Sequence, residues 1–533
     1  MTDAGIPDVN ILNWLLALAP IVVLLVLMVV FNWGGAKAGA AAWLVAFGVA
    51  LLAFGGGSTL IAYSQVKAAL LSVWVLYIIW AALLLFHIVD EAGSIKTIGE
   101  GISRITGNRV MQLILLSWVF TTFLQGIAGY GIPVAVVAPL MVGLGFSPVA
   151  AVITTSIGHS WSVTFGSLAA SFFVLGGVSE IPSSELAIES AMLLGVACFL
   201  CGFGAVWAYG GWRALQQGVL PLLLIGVVMA GTQLGMASLG TYPLAAFTAG
   251  CLGLIGITLL ARLPFFQRQP NLDIDPLEEP VVAGPVVPIR DVFLAFSAYL
   301  ILVAIVLGAS FIDPITNLLN DIAVRLSIPE TATSHGWTNS ATDSYRTIAP
   351  FGEAGALLLY ACGLGFLVYR LAGKLPSGSF NRIASRTVTA ALASSIGIVT
   401  MVGMALIMVD SGMTYMLAQG MVDVAGPVFP LISPFIGVLG SFMTGSNTNS
   451  NILFSALQRD SAVLLGLPPA VLLAAQTTGG ALGSMVAPAK IIVGCSTVGL
   501  AGKEGPVVKA GARYGLVITG IIGIVVLVWS WLV

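Results

Sequence analysis

Residues 444–451 read T-G-S-N-T-N-S-N, a run with no apolar group larger than a threonine methyl. On either side lie FPLISPFIGVLGSFM (429–443) and ILFSAL (452–457), which read as membrane. A polar break facing lipid would leave backbone N–H and C=O groups unpaired, at a cost of several kcal/mol each. The run therefore reads as the tip of a re-entrant hairpin, turned away from lipid. Its hydroxyls and amides suit a small anion.

Composition sets the class. Charged residues make up 8% of the 533 and hydrophobic residues 58%, against roughly 25% charged in a soluble protein. The mean hydropathy is +1.04. This is an all-α, polytopic membrane protein. The net charge of −2 gives no sign of a nucleic-acid partner. Five cysteines make no disulfide framework, and Cys198 and Cys201, inside an apolar span, read as packing. No positively charged region precedes the first apolar run, so that run is expected to stay in the mature protein.

A membrane-spanning helix needs about 20 mainly apolar residues. The chain offers twelve such segments: 11–31, 39–61, 68–89, 150–177, 191–211, 218–238, 241–262, 292–311, 351–370, 387–409, 470–497 and 514–533. Two more, about 110–145 and 427–457, are split by Gly-rich polar stretches and read as re-entrant hairpins. With both as hairpins, fifteen Lys and Arg fall on one side and four on the other, Lys67 and Arg459 among the four, with Lys490 left in the membrane. That asymmetry puts both termini outside. The Pro-rich, charged stretch 263–291 reads as an exposed cytoplasmic linker, and 336–353 as a solvated outer loop.

The two halves resemble each other. FLQGIAGYGIP starts at Phe123 and FMTGSNTNSN at Phe442. Each runs F-x-x-G, small and polar residues, a helix, a Gly-to-Pro turn (145–148; 466–469) and a Thr pair (Thr154, Thr155; Thr477, Thr478). The first hairpin enters from inside and the second from outside, which makes two inverted repeats. The expected division is a first repeat over 1–211, connecting helices and linker over 212–291, and a second repeat over 292–533. Secondary transporters of this architecture bind substrate near the midplane, between broken helices.

The candidate site residues follow from the breaks. Gly126, Gly129 and Gly131 free the first backbone from helical geometry, and Gln125 offers both a donor and an acceptor. The second break offers Thr444, Gly445, Ser446, Asn447, Thr448 and Asn449. Thr477 and Thr478 belong to the following broken segment. His159 is the only Asp, Glu, His, Lys or Arg between 110 and 179; it reads equally as a satisfied bundle histidine or as a proton-sensing or substrate-contacting group. Lys490 stands alone in GALGSMVAPAKIIVGCSTVGL (480–500). Near an interface it would snorkel; Pro488 and Gly494 argue for a broken helix at mid-depth, where an ammonium would face an anion or replace a transported cation. Asp410, at a span end, reads as an interfacial cap. No nucleophile–base set or metal-ligand set is spelled out, so an enzyme is not expected.

FLQGIAGYGIPVAV, GLGFSPVAA, DSGMT, GSFMTGSNTNSNILFSALQ, TTGGALGSMVAPAKI and STVGLAGKE, in that order, resemble the L-lactate permease family. The resemblance runs from about residue 75 to the end of the sequence. It implies transport of lactate and glycolate across a bacterial inner membrane, usually with protons, by a protein with inverted repeats and two hairpins. Ser446–Thr448 also resembles the hairpin tip of sodium-coupled dicarboxylate transporters. The family's first hairpin commonly has Glu where Gln125 stands, and a neutral polar residue where Lys490 stands. The expectation is a secondary transporter importing small 2-hydroxy monocarboxylates, with H+ or Na+ as coupling ion and no other cofactor. The alternatives are a symporter of a dicarboxylate or sulfonated anion, and a passive anion channel. A homo-oligomer is left open.

Overall fold

The computed structural model describes residues 5–102, 105–129, 131–267 and 288–533. Arg104, Arg268, Tyr130 and most of the 263–291 linker lie outside them. The described residues are mostly helical. Among the described residues, twelve helical segments are long and apolar enough to cross a membrane. The number matches the sequence reading, but the membership differs. Two of them, Arg109–Ile127 and Met413–Thr444, contain hairpin arms. Ser183–Ser238 holds two crossings, because Gly210 and Gly211 leave helical geometry and the chain folds back on itself. Glycines make that return tight: Phe199 lies against Gly226, Leu222 against Gly202 and Val206 against Gly218.

Both polar-split segments are helical hairpins. The first is built from Arg109–Leu113, a π-helical stretch Ile114–Phe120, Thr121–Ile127 and the return helix Ile132–Gly143. Its two ends meet: Arg109 donates to the carbonyls of Leu144 and Gly145 and lies over the Phe146 ring. The second runs out through Phe429–Thr444 and back through Asn447–Leu464. Its arms are tied by Ser433 Oγ donating to Gln458 Oε1 at 2.8 Å and Ser450 Oγ donating to the Gly437 carbonyl at 2.8 Å. Each hairpin is followed by a broken helix. Pro148–Ser160 and Gly166–Ser179 are parted by a turn at 161–165, and Pro469–Gly483 and Pro488–Thr497 by residues 484–487. The order of long helix, short helix, hairpin, broken helix and straight helix occurs at 58–209 and again at 379–530.

Several sequence expectations are corrected. The second and third crossings are Gly35–Leu52 and Ser58–Glu91, parted at 53–57, not near 61–68. The stretch YSQVK (63–67) looks like a loop, but its polar groups are satisfied inside the bundle. Gln65 accepts from Trp43 Nε1 and donates to the Gly403 carbonyl, while Ser64 and Lys67 both reach Asp410. Lys67 is thus a buried helix residue, and Asp410 is its partner rather than an interfacial cap. Arg459 also sits on a helix, in the return arm of the second hairpin.

Helix Met413–Ala425 was not expected; it buries Met413, Met416 and Leu417 and packs on Ile11–Val29 and on Asn447–Leu464. The last helix begins at Gly505, because Pro506 starts it and Lys509 and Arg513 ride on its first turns. The stretch 336–353 is docked, not simply solvated. Thr331–Ala332 pairs antiparallel with Thr338–Asn339, and Asn339 Nδ2 donates to the Asp410 carbonyl at 2.8 Å.

Candidate functional site

The tip of the second hairpin is made by its own short side chains. Gly445 has φ +72, a left-handed conformation that glycine adopts without a Cβ penalty. Thr444 Oγ1 donates to the Gly440 carbonyl at 2.7 Å and accepts from the Ser446 amide. Ser446 then caps helix Asn447–Leu464, accepting from the Asn449 amide with its side chain and from the Ser450 amide with its carbonyl. Among the described residues the amides of Asn447 and Thr448, in the first turn of that helix, have no acceptor, the arrangement that attracts an anion.

The polar run faces protein, not lipid. Asn447 Nδ2 donates to Thr164 Oγ1 at 3.1 Å, and Asn451 Nδ2 donates to Thr477 Oγ1 at 3.0 Å and to the Ser171 carbonyl at 2.9 Å. Thr448 Oγ1 and Ser171 Oγ share a hydrogen bond at 2.8 Å, and Thr164 Oγ1 and Thr477 Oγ1 share one at 3.1 Å. The second hairpin is therefore pinned to both broken helices, at the 161–165 turn and Gly166–Ser179 of the first and at Pro469–Gly483 of the second. Net hydrogen bonds of this kind are worth about 1 kcal/mol each, and leaving one such buried group unpaired costs about 1–3 kcal/mol.

The first hairpin arrives from the other side. Its outgoing arm ends at Ile127, and Gly131, with φ +84, restarts the chain into Ile132–Gly143 with Pro133 in the first turn. Gln125 and Gly129 reach a chamber of about 30 Å³ shared with Gly445, Ser446, Asn447 and Thr448. Ser167 and Ser171 complete its polar wall. Ser167 begins a left-handed run of three non-glycine residues, with φ 47, 57 and 64 at Ser167, Leu168 and Ala169. That conformation costs roughly 1–2 kcal/mol per residue and is held by the packing of the fully buried Leu168 and Ala169.

Lys490 lies between the two tips. It sits in the first turn of Pro488–Thr497 and is 7% exposed. Gly131 packs beside it: a Cβ there would be 3.7 Å from Lys490 Cγ. Among the described residues its ammonium has no hydrogen bond and no carboxylate partner. A cation in the first turn also opposes its own helix dipole. Lys490 borders both the small chamber and an adjoining cavity of about 300 Å³, whose walls include Thr444, Asn449, Gly397, Ile398 and Met401. An ammonium buried beside a helix N-terminus is stabilised by an opposite charge and is costly when alone.

The structure thus gathers Gln125, Gly129, Gly445, Ser446, Asn447, Thr448 and Lys490 around one chamber, with Thr444 and Asn449 in the next. Thr477 lies behind them in the hydrogen-bond network. Three expected residues stand apart. Gly126 makes room for the backbone of Phe247. His159 is fully buried, with Nδ1 2.8 Å from the Thr155 carbonyl. Thr478 is buried with no partner for its hydroxyl among the described residues. Thr164 and Ser167 fall in the break near 155–167 and Asn451 in the run 444–451, both expected at the site but without these residues being singled out; Ser171 was missed.

Known proteins match this chain along nearly its whole length. The family model described as L-lactate permease matches residues 13–533. The glycolate permease GlcA of Escherichia coli K12 is 26% identical, over 98% of this chain and 96% of the relative. The L-lactate permease of the same strain is 28% identical, over 91% and 90%. That of Bacillus subtilis 168 is 25% identical, over 98% and 97%. Among solved structures, the YdaH transporter of Alcanivorax borkumensis, described as having an unusual topology, aligns at 16% identity with a TM-score of 0.48, over 89% of this chain and 87% of that one. With twelve candidate membrane spans among the described residues and a family match from residue 13 to residue 533, the chain belongs to the L-lactate permease family: it is a multi-pass membrane transport protein and not an enzyme.

Proposed function

We propose that the chain imports small carboxylate anions of the L-lactate and glycolate type as an ion-coupled secondary transporter of a bacterial plasma membrane. The observation that carries this reading is the Lys490 ammonium, without a partner among the described residues, beside the helix N-terminus at Asn447–Thr448. The carboxylate sits between them, in the small chamber. That chamber admits one or two waters' volume, so the rest of the substrate extends into the adjoining cavity past Gly397 and Met401. Relatives named for lactate and glycolate support the choice of 2-hydroxy acids.

On this reading the two hairpins belong to inverted repeats, over 1–211 and 292–533, joined by 212–291, and both termini lie outside. Access alternates between the faces around the shared chamber. H+ or Na+ supplies the driving force, with no other cofactor. The unpaired Lys490 also favours a second reading, in which a dicarboxylate or a sulfonated anion is the preferred cargo, because an extra buried positive charge answers an extra negative one.

The test is counterflow of labelled L-lactate in proteoliposomes, challenged with unlabelled mono-, dicarboxylates and sulfonates. Saturable counterflow, competed best by glycolate and lactate, is expected. Stronger competition by dicarboxylates or sulfonates selects the second reading. Non-saturable flux without counterflow identifies a passive channel and ends the proposal.

A further inference from the structure

A second cavity, of about 550 Å³, lies away from the Lys490 chamber and shares no lining residue with it. Its volume is within the range of small-molecule sites, about 300–1,000 Å³. It is roofed by the docked segment 337–346 and walled by Lys67 and Asp410 of two long helices, Glu180 at the end of the first broken helix, and Arg459 of the second hairpin. Three cations (Lys67, Arg346, Arg459) face two carboxylates (Asp410, Glu180).

The cations are not equivalent. Lys67 is paired with Asp410 at 3.0 Å, and Asp410 also accepts from Ser64 Oγ at 2.7 Å. Arg459 is paired with Asp460 at 2.8 Å, approaches Glu180 at 3.9 Å and donates to the Ser179 carbonyl. Arg346 has neither an ion pair nor a hydrogen bond among the described residues. Its guanidinium carbon lies 4.0 Å from the centre of the Trp74 ring, over the ring face. Glu353 Oε2 accepts from Trp74 Nε1 at 2.8 Å, and neither Glu353 nor Glu180 forms an ion pair with Arg346 among the described residues. Gly177 clears the other side: a Cβ there would be 3.4 Å from Nη2. The indole thus holds a rigid, planar donor fork at a cavity wall with its hydrogen bonds unmade. A guanidinium so placed matches a carboxylate in two-point geometry.

We infer that Arg346 anchors a second binding site for a small carboxylate, at the cavity beneath segment 337–346 and separate from the Lys490 chamber. The site would gather substrate anions at that mouth of the protein before they pass inward. The inference rests on the proposed carboxylate transport for its choice of ligand.

Equilibrium binding of labelled L-lactate to purified protein, through the millimolar range, tests it. The Lys490→Gln variant is expected to keep a saturable site, and adding Arg346→Gln is expected to abolish it. In the Lys490→Gln background, Arg346→Lys, which keeps the charge and loses the fork, should bind at least ten-fold more weakly. Trp74→Phe in the same background should weaken binding with Arg346 intact, since the platform is smaller. No saturable binding to Lys490→Gln overturns the site, and so does binding that Arg346→Gln leaves unchanged. If wild type takes up lactate but these outcomes fail, the second site alone is lost. If the second site binds and wild type carries no carboxylate, the proposed function is lost and the site stands.

Discussion

Lys67 Nζ lies 3.0 Å from Asp410 Oδ1, although 343 residues of chain separate the two. Their side chains are 9% and 4% exposed. The pair joins helix Ser58–Glu91 to Ser379–Asp410, and Ser64 and Asn339 complete the Asp410 hydrogen bonds. Removing one partner strands a buried charge, which costs about 3–5 kcal/mol. Lys67→Met and Asp410→Leu should therefore each lower the melting temperature in detergent, and the double variant should recover much of the loss. Additive losses in the double variant would show that the two residues act separately.

Lys490 is expected to be the counter-charge of the bound anion. Lys490→Gln should weaken anion binding by about 1.5–3 kcal/mol, the scale of a hydrogen bond to a charged group. That is roughly ten-fold to over a hundred-fold at about 1.4 kcal/mol per decade. The loss should be larger for a dianion than for lactate. Measuring affinity with and without sodium separates the other roles. Retained affinity with a new sodium dependence would mark Lys490 as a stand-in for a transported cation. Unchanged affinity with no ion dependence, and a fully active Lys490→Arg, would remove it from the site.

Gln125 cannot titrate, so coupling is expected not to run through a carboxylate at this hairpin tip. Gln125→Glu places an ionisable group in the wall of the Lys490 chamber. Uptake by that variant should acquire a new pH dependence, its charged form competing with substrate for the Lys490 ammonium. Initial rates across pH 5 to pH 9, a window between the ordinary Glu and Lys values of about 4.3 and about 10.4, read this directly. A profile that overlays wild type counts against any role for position 125 in coupling.

Burial raises the Glu353 carboxyl above its ordinary value of 4.5, against the lowering effect of the Trp74 indole, the Ala349 amide and Arg346. The fold therefore favours the protonated acid. The stability linked to this group is fully present below 4.5 and is lost as pH rises through the raised value. Glu353→Gln should lose that dependence and melt no lower than wild type at pH 8. Melting curves from pH 4 upward check the sign; a Gln variant that is less stable only at high pH would reverse it.

Much of the site was legible because its chemistry is spelled in unusual residues. A run of hydroxyls and amides between apolar arms, and a glycine cluster after Gln125, have few uses in a membrane other than a protected break. Thr164, Ser167 and Ser171 were harder to see. A helical hydroxyl can bond its own backbone, as Thr154 does to the Ala150 carbonyl and Thr155 to the Ala151 carbonyl. Thr164 instead reaches Thr477 and Asn447, and nothing local in the sequence distinguishes the two habits. Lys67 was misplaced for the same reason: its partner is distant in sequence, so a satisfied polar stretch read as a loop. The helix at 413–425 was lost between two stronger apolar signals.

The left-handed run at Ser167–Ala169 sets two kinds of selection against each other. Glycine at 169 would relieve roughly 1–2 kcal/mol of backbone strain and give up about 0.8 kcal/mol of methyl burial, a net gain in stability of up to about 1 kcal/mol. It would also loosen the wall that carries Ser167 and Ser171. A screen for heat resistance is expected to recover Ala169→Gly, and a screen for growth on a transported carboxylate to discard it.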